Sequence, residues 1–403
     1  MLSYNEALTT ILDNVAPVGS EQLPLYDAIG MVLAEPVTTP WDLPLWDNSA
    51  MDGYAVRSAD CRGPSCRLRV TGYLPAGAMA ETITVAPGCC VKIMTGAPLP
   101  RGADAVVPFE ESEETSGEQV TLHGAVTAGQ HVRRQGEDIP ANETIMQPGT
   151  VLRPAELSLL ASCGMPMVTV QRRPVAAVLS TGDELVEPGA TPGPGQLINS
   201  NGIALAAAVR EAGGVPRMLG IARDNRPSLL EKLRTGLAAD CLITSAGVSA
   251  GDRDLVRVIL EELGVKFLFW KVAIKPGKPT AFGIFEGKPL FCLPGNPVAS
   301  QITFEAFVRP ALLKMQGHCA LLRPTLQATL REPLKGGSRM QFMRVHLVQE
   351  GHQYYVRSAG SQETGILRTS LKANAVAMIP PNQLCKAGDT VPVRLLHETL
   401  VEA

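Results

Sequence analysis

Carboxylates stand in polar loops that follow apolar runs at three places in the second half of this chain. Ser180-Thr181-Gly182-Asp183-Glu184-Leu185 follows one apolar run, and Arg223-Asp224-Asn225 follows another. The third, Leu242 to Leu255, passes from an apolar strand through Ser245, Ala246, Gly247, Ser249 and Gly251 to Asp252 and Asp254. A strand, a small-residue turn and a helix start with Asp252 as N-cap offer backbone N–H groups to an oxyanion at the positive end of the helix. Carboxylates beside a phosphate call for a divalent cation between them. Packing alone also produces Gly-rich strand-to-helix turns, so the loop by itself leaves both readings open. It is not a dinucleotide fingerprint, because no G-x-G-x-x-G is present, and Pro279 breaks the Lys-Thr pair a Walker-type NTPase needs.

Lys275-Pro276-Gly277-Lys278-Pro279 adds two cations on a stretch that its prolines keep out of a helix. In the first half, polar residues gather in Asp47 to Ala55 around Asp52, in Lys92 to Pro98 around Thr95-Gly96, and in Arg133 to Asp138. Singly, each of these is accounted for by turn chemistry: Asx-turns, a Thr cap and a surface ion-pair cluster.

The elements that must position these residues follow from periodicity. Residues 1–35 read as helical, with a Ser3/Glu6 capping box and a second helix over 26–33. Residues 36–148 read as β-rich, with strands over 67–71, 90–94 and 105–107. A helix over 154–164 is expected to pack with the N-terminal helices, which would make the β-rich block an insertion. From Pro174 strands and helices alternate: strands over 175–179, 215–221, 241–244 and 267–274, a hairpin of 281–285 and 289–293 across Glu286-Gly287, and helices over 199–213, 228–237 and from Pro297. This predicts a parallel sheet with helices on both faces, binding ligands at the carboxyl ends of its strands. Leu293-Pro294-Gly295-Asn296-Pro297 is a tight turn with Asn296 as N-cap and Pro297 at the first helical position. After Pro324 five strands predict a small barrel or sandwich, with a turn at Gly360-Ser361-Gln362.

Composition narrows the class. A chain of 403 residues with 4% aromatics, 38 Gly and 32 Pro should form two to four turn-rich domains. A net charge of −3 without charge runs advertises neither a nucleic-acid surface nor a polybasic membrane surface. The N-terminus does not read as a signal peptide, and no apolar span reaches membrane-helix length. Nine Cys without a CxxC, and six His without an H-x-x-x-H, predict buried reduced thiols in a cytoplasmic protein rather than a zinc site.

Seven motifs, taken together and in order, resemble those of the molybdopterin molybdenumtransferase family of the MoeA type, whose animal counterpart is the C-terminal domain of gephyrin. They are NSAMDGYA (48–55), KIMTGAP (92–98), RRQGEDI (133–139), STGDEL (180–185), GVSAGDRD (247–254), IKPGKP (274–279) and LPGNP (293–297). The resemblance implies an α/β multidomain chain. A discontinuous helical linker domain (1–40 and 145–173) carries a β-rich insert (41–144), followed by a central doubly wound parallel-sheet domain of the MogA-like type (174–322) and a C-terminal β-barrel (323–403). It also implies a homodimer whose cleft forms where the insert of one subunit faces the α/β domain of the other. The implied reaction cleaves adenylylated molybdopterin with molybdate and Mg²⁺, releases AMP and delivers the metal to the dithiolene. A MogA-like pterin adenylyltransferase would hand over the substrate.

Carried onto this chain, the family pattern makes Asp52, Thr95, Asp138, Glu184, Asp224 and Asp254 the catalytic set. Asp183, Glu184, Asp224 and Asp254 would hold Mg²⁺. Gly247, Ser249, Gly251, Lys275, Lys278, Pro294, Pro297 and Ser361 would bind the pterin phosphate or molybdate. Two departures stand out: Ala246 takes a position where the family has Gly, and 360–363 is atypical. A left-handed Ala246 would cost on the order of 1 kcal/mol, and an ordinary backbone there nothing. Pterin adenylylation, a non-catalytic molybdopterin or molybdate carrier, and tungstate in place of molybdate are the competing functions. A clustering scaffold of the gephyrin kind is not expected.

Overall fold

The computed structural model describes residues 1–247, 255–396 and 401–402. They form two compact units: 1–34 with 149–153 and 167–403, and 35–148 with 154–166.

The first helix, α1 (Tyr4–Asp13), is closed by the expected capping box. The Glu6 N–H donates to the Ser3 hydroxyl (3.3 Å), and the Ser3 N–H donates to the Glu6 carboxylate (2.8 Å). Its buried residues Tyr4, Ala7, Leu8 and Ile11 repeat at helical spacing and pack with Phe304, Phe307 and Leu312. The helix expected over 26–33 does not form. Ser20–Pro24 is instead a strand antiparallel to Met167–Gln171, and a single 3₁₀ turn spans Leu25–Ala28. The Leu33 and Ala34 N–H groups donate to Thr150 and Thr169 carbonyls at 2.8 and 3.0 Å. Distant backbone thus satisfies the groups a helix would have bonded internally, and left-handed Gly30 (φ 73°) turns the chain into that course.

The second unit is built on β1 (Gly53–Val56), β2 (Ser65–Leu74), β3 (Cys89–Ile93), β4 (Ala105–Pro108), β5 (Ser112–Ser116) and β6 (Gln119–His123). Their order is β4-β1-β3-β2-β6-β5, and only β2–β3 is parallel. Strand alternation divides the apolar residues between two cores. Tyr54, Val56, Cys90 and Val107 fill one; Ala55, Val91, Ile93 and Val106 fill the other. Cys61 and Cys66 are paired in a disulfide with Cα atoms 5.3 Å apart, which overturns the expectation of nine free thiols. The turn from Cys61 into β2 brings the two together across only four residues, a closeness that zinc spacing rules do not test. The helix α2 (Pro154–Ser162) belongs to this unit. The Trp41 indole donates to its Ser162 carbonyl (3.3 Å).

In the first unit, β7 (Val175–Thr181), β8 (Val215–Ala222), β9 (Cys241–Ser245), β10 (Lys266–Phe269), β11 (Ala281–Phe285) and β12 (Lys288–Leu293) form a sheet ordered β8-β7-β9-β12-β11-β10. The four strands β8, β7, β9 and β12 are mutually parallel, and β11 and β10 extend the edge antiparallel. Both faces are covered. Ala176, Val178, Ile243 and Phe291 pack toward α3 (Ser200–Glu211) and the run α6 (Pro297–Thr303), a π turn and α7 (Arg309–Met315). Ala177, Leu179, Leu242 and Leu290 pack toward α4 (Arg226–Leu237) and α5 (Leu255–Glu262). The β11–β12 hairpin turns on Glu286 (φ 48°) and Gly287 (φ 77°), both left-handed as a two-residue turn requires. The strand expected over 267–274 stops at Phe269, and Ile274–Lys275 pairs instead with Met340–Gln341.

Those residues open β14 (Met340–Glu350), which with β13 (Thr325–Leu330), β15 (Gln353–Ser358), β16 (Ala375–Ile379) and β17 (Thr390–Leu395) runs β14-β15-β13-β17-β16. Pairing of β16 back onto β14 closes a five-stranded barrel around Val345, Leu347, Val356, Ala377 and Val393. No described helix is long and apolar enough to cross a membrane.

The insert sheet depends on Gly53. A Cβ there would lie 2.0 Å from the Val107 carbonyl oxygen, so β1 and β4 could not keep their spacing. Gly53→Ala is expected to destabilise the chain by about 1–3 kcal/mol or more, as overpacking does. Denaturant unfolding measures this, and an unchanged midpoint would contradict the packing described.

Candidate functional site

In the insert, antiparallel pairing of Gly53 with Ile93 brings the residues flanking β1 and β3 together. Asp52 precedes β1 and Thr95 follows β3. The Thr95 N–H and hydroxyl both donate to Asp52 Oδ1, at 2.6 and 2.7 Å. These bonds, the hydroxyl first, hold the Asp52 carboxyl below the usual carboxylate range. Thr95 thus fixes an ionised Asp52 and commits its own proton to it, leaving its lone pairs open.

The Arg133–Asp138 stretch divides. Arg134 pairs with Asp47 (2.6 Å), Gln135 donates from N to Asp47 (2.8 Å) and from Nε2 to Asp42 (2.7 Å), which is the ion-pair and turn chemistry its composition suggests. Arg133, Glu137 and Asp138 face an open depression of about 860 Å³ together with Asn48, Leu43 and Ser162.

In the other unit, parallel pairing sets the carboxyl ends of β7, β8, β9 and β12 along one edge. After β7, Gly182 (φ 147°) leaves room for the next carboxylate but one. A Cβ there would meet Glu184 Oε2 at 2.5 Å. After β8, the Arg223 guanidinium donates to the Asp183 and Leu185 carbonyls at 3.0 Å each, and the Asp224 N–H donates to the Asp183 carboxylate at 3.1 Å. Asp183, Glu184 and Asp224 are all exposed as residues, and none forms an ion pair with a described residue. The Asp224 carboxyl nevertheless sits against the neighbouring loop. Desolvation raises its pKa most, the Asp183 and Glu184 charges raise it further, and a hydrogen bond from the Asp183 backbone partly opposes them. Among the described residues no three carboxylates, imidazoles or thiols already stand in ligating arrangement. Hard oxygen donors with no counter-cation nonetheless fit a Mg²⁺ ion, which selects carboxylates and retains its own waters. Ser249, Gly251 and Asp254, with Asp252, lie outside the described residues.

After β9, Ala246 is left-handed (φ 74°), followed by Gly247 (φ 75°). A Cβ on Gly247 would press on Val256 Cγ2 at 2.5 Å, so glycine is what lets this turn meet α5. After β12, Asn296 occupies the N-cap position of α6 but makes no capping bond, a departure from expectation; its Oδ1 is buried with no partner among the described residues. Pro294 is buried and Pro297 opens the helix. Lys275 and Lys278 are exposed. Their loop is pinned where Gly277 packs on α6, since a Cβ there would meet Thr303 Cγ2 at 2.3 Å. The Thr280 hydroxyl donates to the Gly277 carbonyl (2.7 Å), and Arg339 donates to the Ile274 carbonyl (2.9 Å).

Ser361 is exposed on a barrel loop organised by a residue that sequence reasoning passed over. Arg344 is 2% exposed and spends its guanidinium on the carbonyls of Ser361 (2.9 Å), Glu363 (3.0 Å) and Ile366 (3.0 Å). The signal was a lone charge within the apolar run of β14.

Three family models match in succession: the MoeA N-terminal region, domains I and II, over residues 2–164; a probable molybdopterin binding domain over 177–314; and the MoeA C-terminal region, domain IV, over 327–396. The chain is 38% identical over 381 residues to molybdopterin molybdenumtransferase 2 of Mycobacterium tuberculosis, covering 91% of this chain and 93% of that protein. The chain belongs to the molybdopterin molybdenumtransferase family. The Haemophilus influenzae relative, also named molybdopterin molybdenumtransferase, is 34% identical and covers 99% of this chain and 100% of its own length. The crystal structure of the molybdopterin biosynthesis MoeA protein from Pyrococcus horikoshii superposes with a TM-score of 0.85 at 31% identity, covering 99% of this chain and 100% of that one. Members of this family are transferases of molybdenum cofactor biosynthesis.

The left-handed Ala246 settles which branch of the family departure holds. Ala246→Gly is expected to stabilise the chain by about 1 kcal/mol by removing the Cβ penalty. A denaturant midpoint that stays put or falls would show that Ala246 carries no strain.

Proposed function

We propose that this chain inserts molybdate into adenylylated molybdopterin, with Mg²⁺, releasing AMP. The observation that supports this best is the edge carrying Asp183, Glu184 and Asp224, carboxylates without counter-cations among the described residues. Bound there, Mg²⁺ would offset the charge of a phosphoanhydride. Asp183, Glu184 and Asp224 would hold it, with Asp254 as a fourth carboxylate. Gly247, with Ser249 and Gly251, would cradle the pterin phosphate through backbone donors. Lys275 and Lys278 would hold the molybdate oxyanion as compact ammonium charges, and Ser361 would add a hydroxyl. Pro294 and Pro297 would keep the intervening turn rigid. From the insert, Asp52 would act as a carboxylate kept ionised by Thr95, and Asp138 as a second. Matches to the MoeA N- and C-terminal regions favour this reading over adenylylation, for which a domain of the central type would suffice. We further propose a cytoplasmic homodimer that receives its substrate from a MogA-like adenylyltransferase.

The decisive assay is AMP release from adenylylated molybdopterin by the purified protein with Mg²⁺, with and without molybdate. Molybdate-dependent release is expected. A folded protein that binds the pterin but releases nothing under either condition would be a carrier.

The raised pKa of Asp224 gives a second test. Folding disfavours its ionised form, so ionised Asp224 opposes stability at neutral pH, and lowering the pH through the folded pKa relieves that cost. Protons therefore compete with the cation. Mg²⁺ affinity is expected to fall as pH drops through that raised pKa, and Asp224→Asn should weaken binding and flatten the pH dependence. Calorimetric titrations showing the same pH profile in both proteins would remove Asp224 from the metal site.

A further inference from the structure

Two asparagines at the start of α3 bind the ends of three neighbouring parallel strands. Asn199 Oδ1 accepts from the Gly202 N–H (3.0 Å) as the helix cap, and from the Ser180 hydroxyl on β7 (2.8 Å). Asn201 reaches the other two. Its Nδ2 donates to Ser245 Oγ at the end of β9 (2.7 Å) and to the Gly295 carbonyl in the turn after β12 (2.7 Å), using both amide protons. Ala246 lies between these anchor points. Its N–H donates to the Leu293 carbonyl (3.1 Å), and a Cβ placed on Gly295 would stand 3.0 Å from the Ala246 methyl. A left-handed alanine persists only where its surroundings over-determine it. Here Asn201 supplies that restraint from one side and the close Gly295 backbone from the other. Asn201 Oδ1 is itself buried with no partner among the described residues, so within them the amide is held by its donors.

We propose that Asn201 is a positioning residue for substrate. By cross-linking Ser245 to Gly295 it fixes the spacing between the Ala246–Gly247 turn and the Pro294–Pro297 turn, and so sets the seat of the pterin phosphate. This rests on the function proposed above. Without the amide, strain at Ala246 drives the turn out of its left-handed course and the seat opens. Restoring glycine at 246 removes that drive, so the two positions are coupled.

The test is a fluorescence titration of the full chain with molybdopterin, at a temperature well below unfolding, for wild type, Asn201→Ala, Asn201→Asp, Ala246→Gly and the Asn201→Ala/Ala246→Gly double variant. Asn201→Ala and Asn201→Asp are expected to weaken binding about tenfold, the scale of one or two lost hydrogen bonds. Ala246→Gly should recover much of that loss in the double variant, which a general loss of stability would not produce. Asn201→Ser, which keeps one donor, replaces any variant that does not fold. Unchanged affinity in folded variants, or strictly additive effects, would overturn the positioning role while leaving the functional reading intact. A wild type that does not bind molybdopterin would overturn both.

Discussion

The parallel pairing of β8, β7, β9 and β12 is the constraint on which the candidate site depends. Parallel strands point their carboxyl ends the same way, so loops that are far apart in sequence must leave along one edge. That geometry gathers Gly182–Glu184, Asp224, Ala246–Gly247 and Pro294–Pro297. The edge is crowded. Gly182 must leave space for Glu184, Gly247 for Val256 and Gly295 for Ala246. At Gly295 the neighbour arrives from another strand end, while Glu184 and Val256 lie further along the same connections as their glycines.

The insert reaches a comparable result by antiparallel pairing. Because β1 and β3 run in opposite directions, the residue before one meets the residue after the other, and Asp52 finds Thr95. Close backbone approach at Gly53 sets the register of that meeting. The barrel uses a third device. A buried guanidinium without a carboxylate partner is costly unless its donors are satisfied, and Arg344 satisfies them on the loop that presents Ser361. In the insert and in the barrel alike, hydrogen bonds to a neighbouring side chain or to backbone carbonyls fix the course of the loop.

Much of this architecture was legible beforehand. The Ser3/Glu6 capping box, the hairpin at Glu286-Gly287, the α/β alternation and strands such as Ala375–Ile379 and Thr390–Leu395 all express local rules of period and turn chemistry. The motifs around Asp52, Thr95, Asp183 and Lys275 were visible only as a set, because singly each is ordinary turn chemistry and their joint order carries the resemblance. The helix expected over 26–33 was not borne out, since its apolar residues fit either period and distant strands claimed the backbone. Asn201 carried no signal at all. An asparagine near a helix start reads as a cap, and nothing local shows that its amide spans two strand ends.

By itself the sequence determined the fold class and the family, because periodicity, capping and motif order are properties of neighbours along the chain. Tertiary structure alone decided that the Thr95 hydroxyl donates a hydrogen bond to Asp52, that Ala246 is left-handed, that Cys61 meets Cys66, and that Asn201 and Arg344 hold the loops. Each of those depends on a partner brought close only by folding. Hydrogen bonds and steric contacts act over a few ångströms of space, whatever the separation in sequence.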